Sequence, residues 1–162
     1  MSEYSLEPPT SAELTQESHP LKITVDSPRW ARDVVEVMAR YLKKERRYDS
    51  VPFDAAERSW DDGFYPYEAY VFHEVAYDLI EDEDAPAPSR AIGAVCLRNI
   101  GTTDAPRWTM QWAWFHPFAR GRGKLSDFWP TLKATYGNFT VEKPLSSTMK
   151  AFLAKHNQPQ PD

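Results

Sequence analysis

The sequence predicts an α/β protein in which a mixed, mostly antiparallel sheet is flanked by helices. Three observations support this fold class. A clear helical repeat lies in the N-terminal half, two strand-like runs enclose an acidic, proline-rich segment, and an aromatic run with strand character precedes two further helical repeats. A chain of 162 residues fits one domain, and an aromatic content of 14% supplies the material for a sizeable core.

The composition excludes several classes of protein. The net charge of −5 argues against a nucleic-acid binder, which usually carries a basic excess. Cys96 is the only cysteine, which excludes an internal disulfide and a four-cysteine zinc site, and no metal site is expected. No apolar run reaches the roughly 20 residues of a membrane span, and the polar, acidic N-terminus is unlike a signal peptide. We therefore expect a cytoplasmic protein without a membrane partner.

The two ends of the chain differ in character from its middle. Residues 1–20 are rich in Ser, Glu, Thr and Pro and contain few apolar groups, so we expect a disordered N-terminal tail. Residues 158–162 are polar and contain proline, and we expect a short C-terminal tail. A single domain is therefore predicted over residues 21–157, and it begins with a strand-like run at residues 21–25.

The clearest helix follows this first strand. Ser27 is a suitable N-cap, and Pro28 suits the first helical position. A largely basic stretch, residues 43–47, closes the segment at the negative end of the helix dipole, which favours a solvated helix end over an anion or partner site. The apolar residues that recur at helical spacing are Trp30, Val34, Val37, Met38, Tyr41 and Leu42.

The middle of the chain predicts a hairpin. A short helix is expected first, at residues 53–60. Residues 67–80 and 91–99 have strand character, and the acidic, proline-rich residues 81–89 between them cannot form a central strand. The two strands are therefore expected to pair around a solvated turn.

The run at residues 108–115 has the pattern of a central strand. Alternation gives it one strongly apolar face and one mixed face, so we expect both faces to be covered and the tryptophans to be core residues. The sequence then predicts a helix over residues 125–136, a strand over residues 139–141 and a helix over residues 145–156. The apolar face comprises Trp108, Met110, Trp112 and Trp114, and the mixed face comprises Thr109, Gln111, Ala113 and Phe115.

The segment between this strand and the next helix, residues 116–125, carries the main functional signal. Its glycines let the backbone turn sharply, and the N–H groups at the start of a helix bind phosphate even without a charged side chain. Arg120, Arg122 and Lys124 add positive charge at the same place. Two other interpretations stay open: an arginine-rich surface turn, and a basic patch for nucleic-acid phosphates, against which the net charge argues.

The residues around this loop resemble the GNAT superfamily of acyl-CoA-dependent acyltransferases. In that family the fourth strand runs into a stretch with a proline, which is followed by a Gln/Arg-x-x-Gly-x-Gly/Ala loop and a helix. Here Pro117 stands at the strand exit, and Arg120 and Gly123 fill the first and fourth loop positions. Specific agreement covers residues 91–157, and upstream of them the order of the elements agrees.

The resemblance implies a fold and an activity. It implies a GNAT-like fold and the transfer of an acetyl group from acetyl-CoA to an amine acceptor of unknown identity. The CoA pyrophosphate would lie on the N–H groups of the loop, and backbone N–H groups of a splayed strand would stabilise the oxyanion. The residues implied to bind the cofactor are Trp114, Phe115, Arg120, Gly121, Arg122, Gly123, Lys124, Leu125 and Ser146.

Several positions depart from the family pattern. Leu125 replaces the last Gly/Ala of the loop, and Leu153 stands where a tyrosine often acts as general acid. The candidate catalytic residues are Glu68 and Glu74, which share one face of the first hairpin strand, and Gln111, which could position a water. The chain also ends soon after the last helix, as expected of a divergent member with a shortened C-terminus.

The departures leave a second function open. A non-catalytic acyl-CoA-binding or protein-interaction module would keep the loop and lose the acid and the base. The shortened C-terminus would leave a sheet edge exposed, and a second copy of the chain could complete that edge in a homodimer.

Overall fold

A mixed sheet with helices against both of its faces forms the frame of the protein. The computed structural model describes residues 10–11, 20–75, 89–142 and 147–156. The strands are β1 (Thr10–Ser11), β2 (Leu21–Ile23), β3 (Tyr67–Val75), β4 (Ser89–Asn99), β5 (Trp108–Phe115) and β6 (Thr140–Val141). The helices are α1 (Arg29–Arg46), α2 (Lys124–Tyr136) and α3 (Ser147–Lys155).

The strands are arranged in the order β2-β3-β4-β5-β6. Neighbours from β2 to β5 run antiparallel, and β6 runs parallel to β5. β1 pairs with the first two residues of β4, beyond the reach of β5, so Thr10–Ser11 lies against the sheet within the segment expected to be a tail. The prediction of an α/β fold with a mixed, mostly antiparallel sheet is confirmed.

Helix α1 covers one face of the sheet with its apolar side. It begins at Arg29, and Pro28 is the residue before it rather than its first residue. Ser27 does not cap the helix, because its hydroxyl accepts a hydrogen bond from the Thr24 N–H at 2.8 Å. The helix ends where Arg47 takes a left-handed conformation with a φ of 56°. Its buried residues are Ala31, Val34, Val35, Met38, Ala39 and Leu42.

The connection from α1 to β3 is held by side chains of α1. The helix predicted at residues 53–60 is wrong, since this segment forms turns. Ala55 is buried there, its N–H donates to Glu36 at 3.0 Å, and its carbonyl accepts from Arg32 at 2.7 Å. Because these side chains satisfy the backbone, the segment does not need helical hydrogen bonds.

The hairpin of β3 and β4 forms as predicted, with different ends. β3 is described as far as Val75, and residues 76–88 lie outside the described part of the chain. β4 begins at Ser89, where the turn was expected to continue. The predicted continuation of the strand to residue 80 and the rest of the predicted turn therefore fall outside the described residues.

A β-bulge in β5 changes which of its side chains share a face. Cys96 lies opposite Trp112 and Leu97 lies opposite Met110, so Gln111 is an extra residue in β5. An extra residue shifts the alternation of side chains by one. Trp112 therefore packs on the α1 face together with Trp114, whereas Met110 and Trp108 pack on the face covered by α2 and α3. The prediction that these four residues share one face is wrong for this reason.

Helices α2 and α3 cover the second face of the sheet, and β6 is the edge strand beside β5. α2 begins one residue before its predicted start, β6 begins one residue after its own, and α3 ends one residue before its predicted end. Residues 145 and 146, at the predicted start of α3, lie outside the described residues. Trp129, Leu132 and Leu153 are buried where these elements meet. In the described part of the chain, none of the helices combines the length and the apolar character that crossing a bilayer requires.

Candidate functional site: a cavity beside the open edge of β5

A cavity of about 550 Å³ opens where β5 and β6 diverge. The two parallel strands pair over two residues each. The Glu142 N–H then donates to the Met110 carbonyl at 3.0 Å, which ends the ladder. β5 continues to Phe115, so its outer edge from Gln111 onward faces the cavity instead of another described strand.

The two faces of the sheet give the cavity two different walls. The wall on the α1 face carries charged and aromatic groups, whereas the wall on the face of α2 and α3 is mainly apolar. The first wall is lined by Leu42, Glu45, Arg46, Tyr48, Trp112 and Trp114. The second wall is lined by Met110, Ala113, Phe115, Val141, Met149 and Phe152. The loop between β5 and α2 closes one end.

Arg98 fixes the bulged residue beside the cavity. This side chain is buried, and its Nε donates to Gln111 Oε1 at 2.9 Å. It also donates to the Tyr65 carbonyl at 2.9 Å and to the Glu57 carboxylate at 3.2 Å. Because a guanidinium can only donate, the Gln111 oxygen faces Arg98, and the amide NH₂ of Gln111 is the group left to interact elsewhere. Gln111 can therefore donate a hydrogen bond in the cavity, but it cannot act as a base.

The loop that closes the cavity needs glycine at two positions. After a 3₁₀ turn at Pro117–Ala119, both Gly121 and Gly123 have a φ of 74°. L-side chains rarely adopt this left-handed region. A Cβ added at Gly121 would meet no atom within 4 Å, and one added at Gly123 would meet an Asp127 oxygen at 3.9 Å. The backbone conformation, not crowding, therefore requires glycine here, and the space beside both residues is open.

Two arginines of the loop are engaged by carboxylates. Arg120 donates to the Phe115 carbonyl at 2.8 Å and to Glu45 at 2.6 Å. Arg122 pairs with Glu74 at 3.2 Å. These contacts tie the loop to β5, α1 and β3, and they offset much of the positive charge that a basic patch would present. They weigh against the interpretation of the loop as a nucleic-acid contact.

The start of α2 lies directly beside the cavity. The first N–H groups of a helix have no partner within the helix, and they carry the positive end of its dipole. Lys124 and Leu125, the first two residues of α2, line the cavity, and Lys124 adds a side-chain charge. This end of the cavity is therefore suited to an anion such as a phosphate group.

Most of the predicted cofactor residues line the cavity, but the candidate catalytic carboxylates Glu68 and Glu74 do not. Glu68 accepts a hydrogen bond from Tyr136 at 2.5 Å, and Glu74 pairs with Arg122. Neither carboxylate is among the described residues that line the cavity, and Arg122 is not among them either. Ser146 lies outside the described residues. The predicted residues that do line it are Gln111, Trp114, Phe115, Arg120, Gly121, Gly123, Lys124 and Leu125.

Glu142 is a cavity residue that the sequence interpretation missed. It follows β6 directly and lines the cavity. Partial removal from water raises the pKa of its carboxyl, and the nearby Arg98 guanidinium opposes this rise. The signal in the sequence was an acidic residue placed directly after the short strand predicted at residues 139–141. Arg46 was interpreted as part of a solvated helix end, with an anion or partner site as the alternative, and it lines the cavity. Glu45 and Tyr48 line it too. Their place was not predicted, since nothing local in the sequence brings the end of α1 to β5.

Other observations limit the chemistry of the site. Within the residues that the structure describes, no group of three or more His, Cys, Asp or Glu is arranged to hold a metal ion. Comparison of the sequence with protein-family models finds no match, and neither does comparison with curated proteins.

Proposed function

We propose that the protein is an acetyl-CoA-dependent N-acetyltransferase with a GNAT-like fold that transfers an acetyl group to an amine. One observation carries the proposal: a single cavity combines the open edge of β5, a glycine loop and the start of α2. The strand edge suits the amide-containing arm of CoA. The start of the helix suits the pyrophosphate, and the apolar wall suits the methylene groups. The volume of the cavity is also within the range of about 300–1,000 Å³ typical of ligand pockets.

The open edge of β5 would bind the pantetheine arm of CoA. The two amides of this arm can pair with unpaired backbone groups of β5, as an added strand does. Met149 and Phe152 of α3 would cover its apolar atoms from the opposite wall. The pyrophosphate would then reach the loop at residues 120–125, where the N–H groups at the start of α2 and the Lys124 side chain favour an anion.

The reaction is attack of an amine nitrogen on the thioester carbonyl carbon. The tetrahedral oxyanion that forms would accept hydrogen bonds from N–H groups of β5 between Gln111 and Phe115. Collapse of this intermediate breaks the C–S bond and releases the CoA thiolate. Leu153 is fully buried and has no acidic group, so no acid acts at that position. A thiol of ordinary pKa, about 8.5, leaves without a proton donor far more readily than an alkoxide.

Glu142 is our candidate for the general base. An amine is mostly protonated near neutral pH and must lose a proton before or during its attack. A base works best when its pKa approaches the working pH, and desolvation moves the pKa of Glu142 in that direction. The ammonium gives one proton to Glu142 before the attack, and Glu142 returns it to solvent. The attacking nitrogen loses a second proton, to solvent or to the departing thiolate, as the intermediate collapses to the amide.

A pair of glycine variants tests the proposal. Gly123→Val adds a branched side chain at a left-handed residue of the loop, and it should weaken CoA binding by at least about tenfold in a calorimetric titration. Gly63→Val is the matched control, because Gly63 has a φ of 76°, equally open surroundings and no part in the cavity lining. It should unfold at a temperature similar to that of Gly123→Val and bind CoA like the parent. Parent-like CoA binding by Gly123→Val, or no CoA binding by the parent, would contradict the proposal.

A non-catalytic acyl-CoA-binding module is the second candidate function. The observation in its favour is that Glu68 and Glu74, the two candidate catalytic carboxylates, are engaged outside the cavity. Both candidates predict CoA binding that added DNA does not displace. Release of CoA thiol from acetyl-CoA in the presence of an amine panel separates them, because the module would bind CoA without turnover.

A further inference from the structure

The α1-face wall of the cavity contains two buried hydrogen-bond donors that have no partner among the described residues. Trp112 is 6% exposed and Trp114 is 2% exposed, and both line the cavity. Their indole Nε1 atoms make no hydrogen bond within the described part of the chain. An indole N–H can only donate, and a buried donor without an acceptor costs free energy. Each Nε1 is itself withdrawn from solvent, so a ligand oxygen at this wall accepts from it, and removes that cost, after a small shift of the indole toward the cavity.

A cation lies on the same wall. Arg46, in the last turn of α1, is half-buried and lines the cavity. Its side chain makes no hydrogen bond or ion pair with any other described residue. Its neighbour Glu45 is already paired with Arg120 at 2.6 Å. The full charge and the five N–H groups of Arg46 are therefore available to a ligand. The C-terminal end of α1 carries about half a negative charge, which the positive charge of Arg46 outweighs.

A carboxylate, that of Glu142, faces the α1-face wall of the cavity from the end of β6. Val141 packs on the face of α2 and α3, so the next residue along the strand direction, Glu142, is turned to the α1 face. The influence of Arg98 on its carboxyl agrees with this placement, since Arg98 stacks on Tyr67 of the α1-face core at 5.1 Å. The α1-face side of the cavity thus has a negative group beside β6 and a positive group at the end of α1.

Resting on the proposed function, we infer that the acceptor is an amine that also bears a carboxylate, as an amino acid does. Its carboxylate binds Arg46, with the indole N–H of Trp112 or Trp114 as a further donor after the ring shifts, and its amine faces Glu142. An amine without a carboxylate leaves the charge of Arg46 without an acceptor. The site therefore selects acceptors by the negative charge that accompanies the amine.

An acceptor panel tests this selection. Each amino acid is compared with its own carboxamide in a thiol-release assay with acetyl-CoA. The carboxamide keeps the side chain, and its less basic amine is more often unprotonated at neutral pH, so intrinsic reactivity favours the carboxamide. The expected result is that at least one amino acid is acetylated with a kcat/KM at least about tenfold above that of its carboxamide.

Two charge variants in the same helical turn sharpen the test. Arg46→Met should raise the KM for the preferred amino acid by about tenfold or more and remove its advantage over the carboxamide. The Kd for CoA should stay unchanged in this variant. Lys44→Met removes the same charge from an exposed position outside the cavity lining, and it should change neither quantity. Trp112→Phe should reduce the preference in the same direction, because it removes one donor and keeps an aromatic ring.

Three outcomes would overturn the inference, and they are distinguishable. If the carboxamides react as well as the acids, or if Arg46→Met and Lys44→Met behave alike, acceptor selection by a carboxylate is wrong while the acetyltransferase proposal stands. If the CoA complex neither binds nor acetylates any amino acid but acetylates other amines, the inference is also wrong. If the parent does not bind CoA, the proposed function itself fails.

Discussion

The guanidinium of Arg98 on β4 donates a hydrogen bond to the Gln111 oxygen on β5 across 2.9 Å, at the point where β5 carries its extra residue. The same guanidinium is held by the Tyr65 carbonyl and by Glu57. The bulge is therefore fastened from the neighbouring strand and from the α1–β3 connection. Because the bulge turns Trp112 and Met110 to opposite faces, this contact also sets which side chains form each wall of the cavity.

Replacing Arg98 with Met should destabilise the protein. The substitution keeps an apolar side chain of similar length but leaves Glu57 and Gln111 without their partner. The side chains of Arg98 and Glu57 are 9% and 21% exposed, so we expect a loss of about 3 kcal/mol in the free energy of unfolding, near the low end for a buried pair. Urea unfolding measures this loss. A loss as small as that of a surface ion pair would show that the bulge does not depend on Arg98.

Replacing Gly93 with Ala should destabilise the protein, although alanine normally stabilises a strand interior relative to glycine. A Cβ at this position would overlap the Phe115 ring, which packs on Phe72 with centroids 5.0 Å apart. We expect a cost of about 1–3 kcal/mol for displacing this ring. In a double-mutant cycle measured by urea unfolding, Phe115→Leu should recover part of the cost. A neutral or stabilising Gly93→Ala would contradict the packing of Phe115 against β4.

Replacing Glu142 with Gln should change stability in a pH-dependent way. Desolvation raises the pKa of Glu142 in the folded protein, so the folded state holds this proton at pH values where the unfolded chain has lost it. Stability from this group is therefore fully present below the ordinary glutamate pKa and is lost as the pH rises through the raised pKa. Glu142→Gln removes the charged form and should be more stable than the parent near pH 7, with no advantage below pH ~4.

Urea unfolding of the parent and of Glu142→Gln at the two pH values measures this difference. An advantage of the variant that is larger in acid than at neutral pH would have the wrong sign. The same variant should lose most of its acetyl transfer while it retains CoA binding, because Glu142 is proposed to act on the amine.

The Cys96 thiol should be inert in the native protein. It has no exposed surface, and burial raises its pKa to about 12, so the reactive thiolate is scarce. A chromogenic disulfide reagent should detect no thiol in the native state and one thiol per chain in urea. Rapid labelling of the native protein would contradict the burial of β4 at this point. If the thiol is inert, thiol-release assays report CoA alone.

Local signals in the sequence predicted the elements that depend on local chemistry. The apolar repeat of α1, the aromatic run of β5 and the glycines at residues 121 and 123 all appear in the structure near their predicted places. Helical periodicity and the need for a positive φ are properties of a few neighbouring residues, and a single sequence displays them directly.

The rest depends on contacts between distant residues. The bulge at Gln111 is a property of the register between β4 and β5, and a strand that is one residue out of phase looks the same in the sequence as a regular one. Ser27 also has the residue type of an N-cap, and its competing partner Thr24 could be identified only from the turn that brings them together. The pairing of Glu74 with Arg122 similarly joins positions 48 residues apart.

The most direct test of the central claim separates the pyrophosphate of CoA from its arm. Affinities for CoA and for pantetheine, which lacks the phosphates, are measured calorimetrically for the parent, Gly123→Val and Arg122→Ala. The account predicts that Gly123→Val weakens CoA by at least about tenfold, or ~1.4 kcal/mol, and leaves pantetheine unchanged. Arg122→Ala should have a smaller effect, because Arg122 is exposed and paired with Glu74. Equal losses for both ligands in Gly123→Val, or a larger loss in Arg122→Ala that salt abolishes, would contradict a backbone phosphate site at this loop.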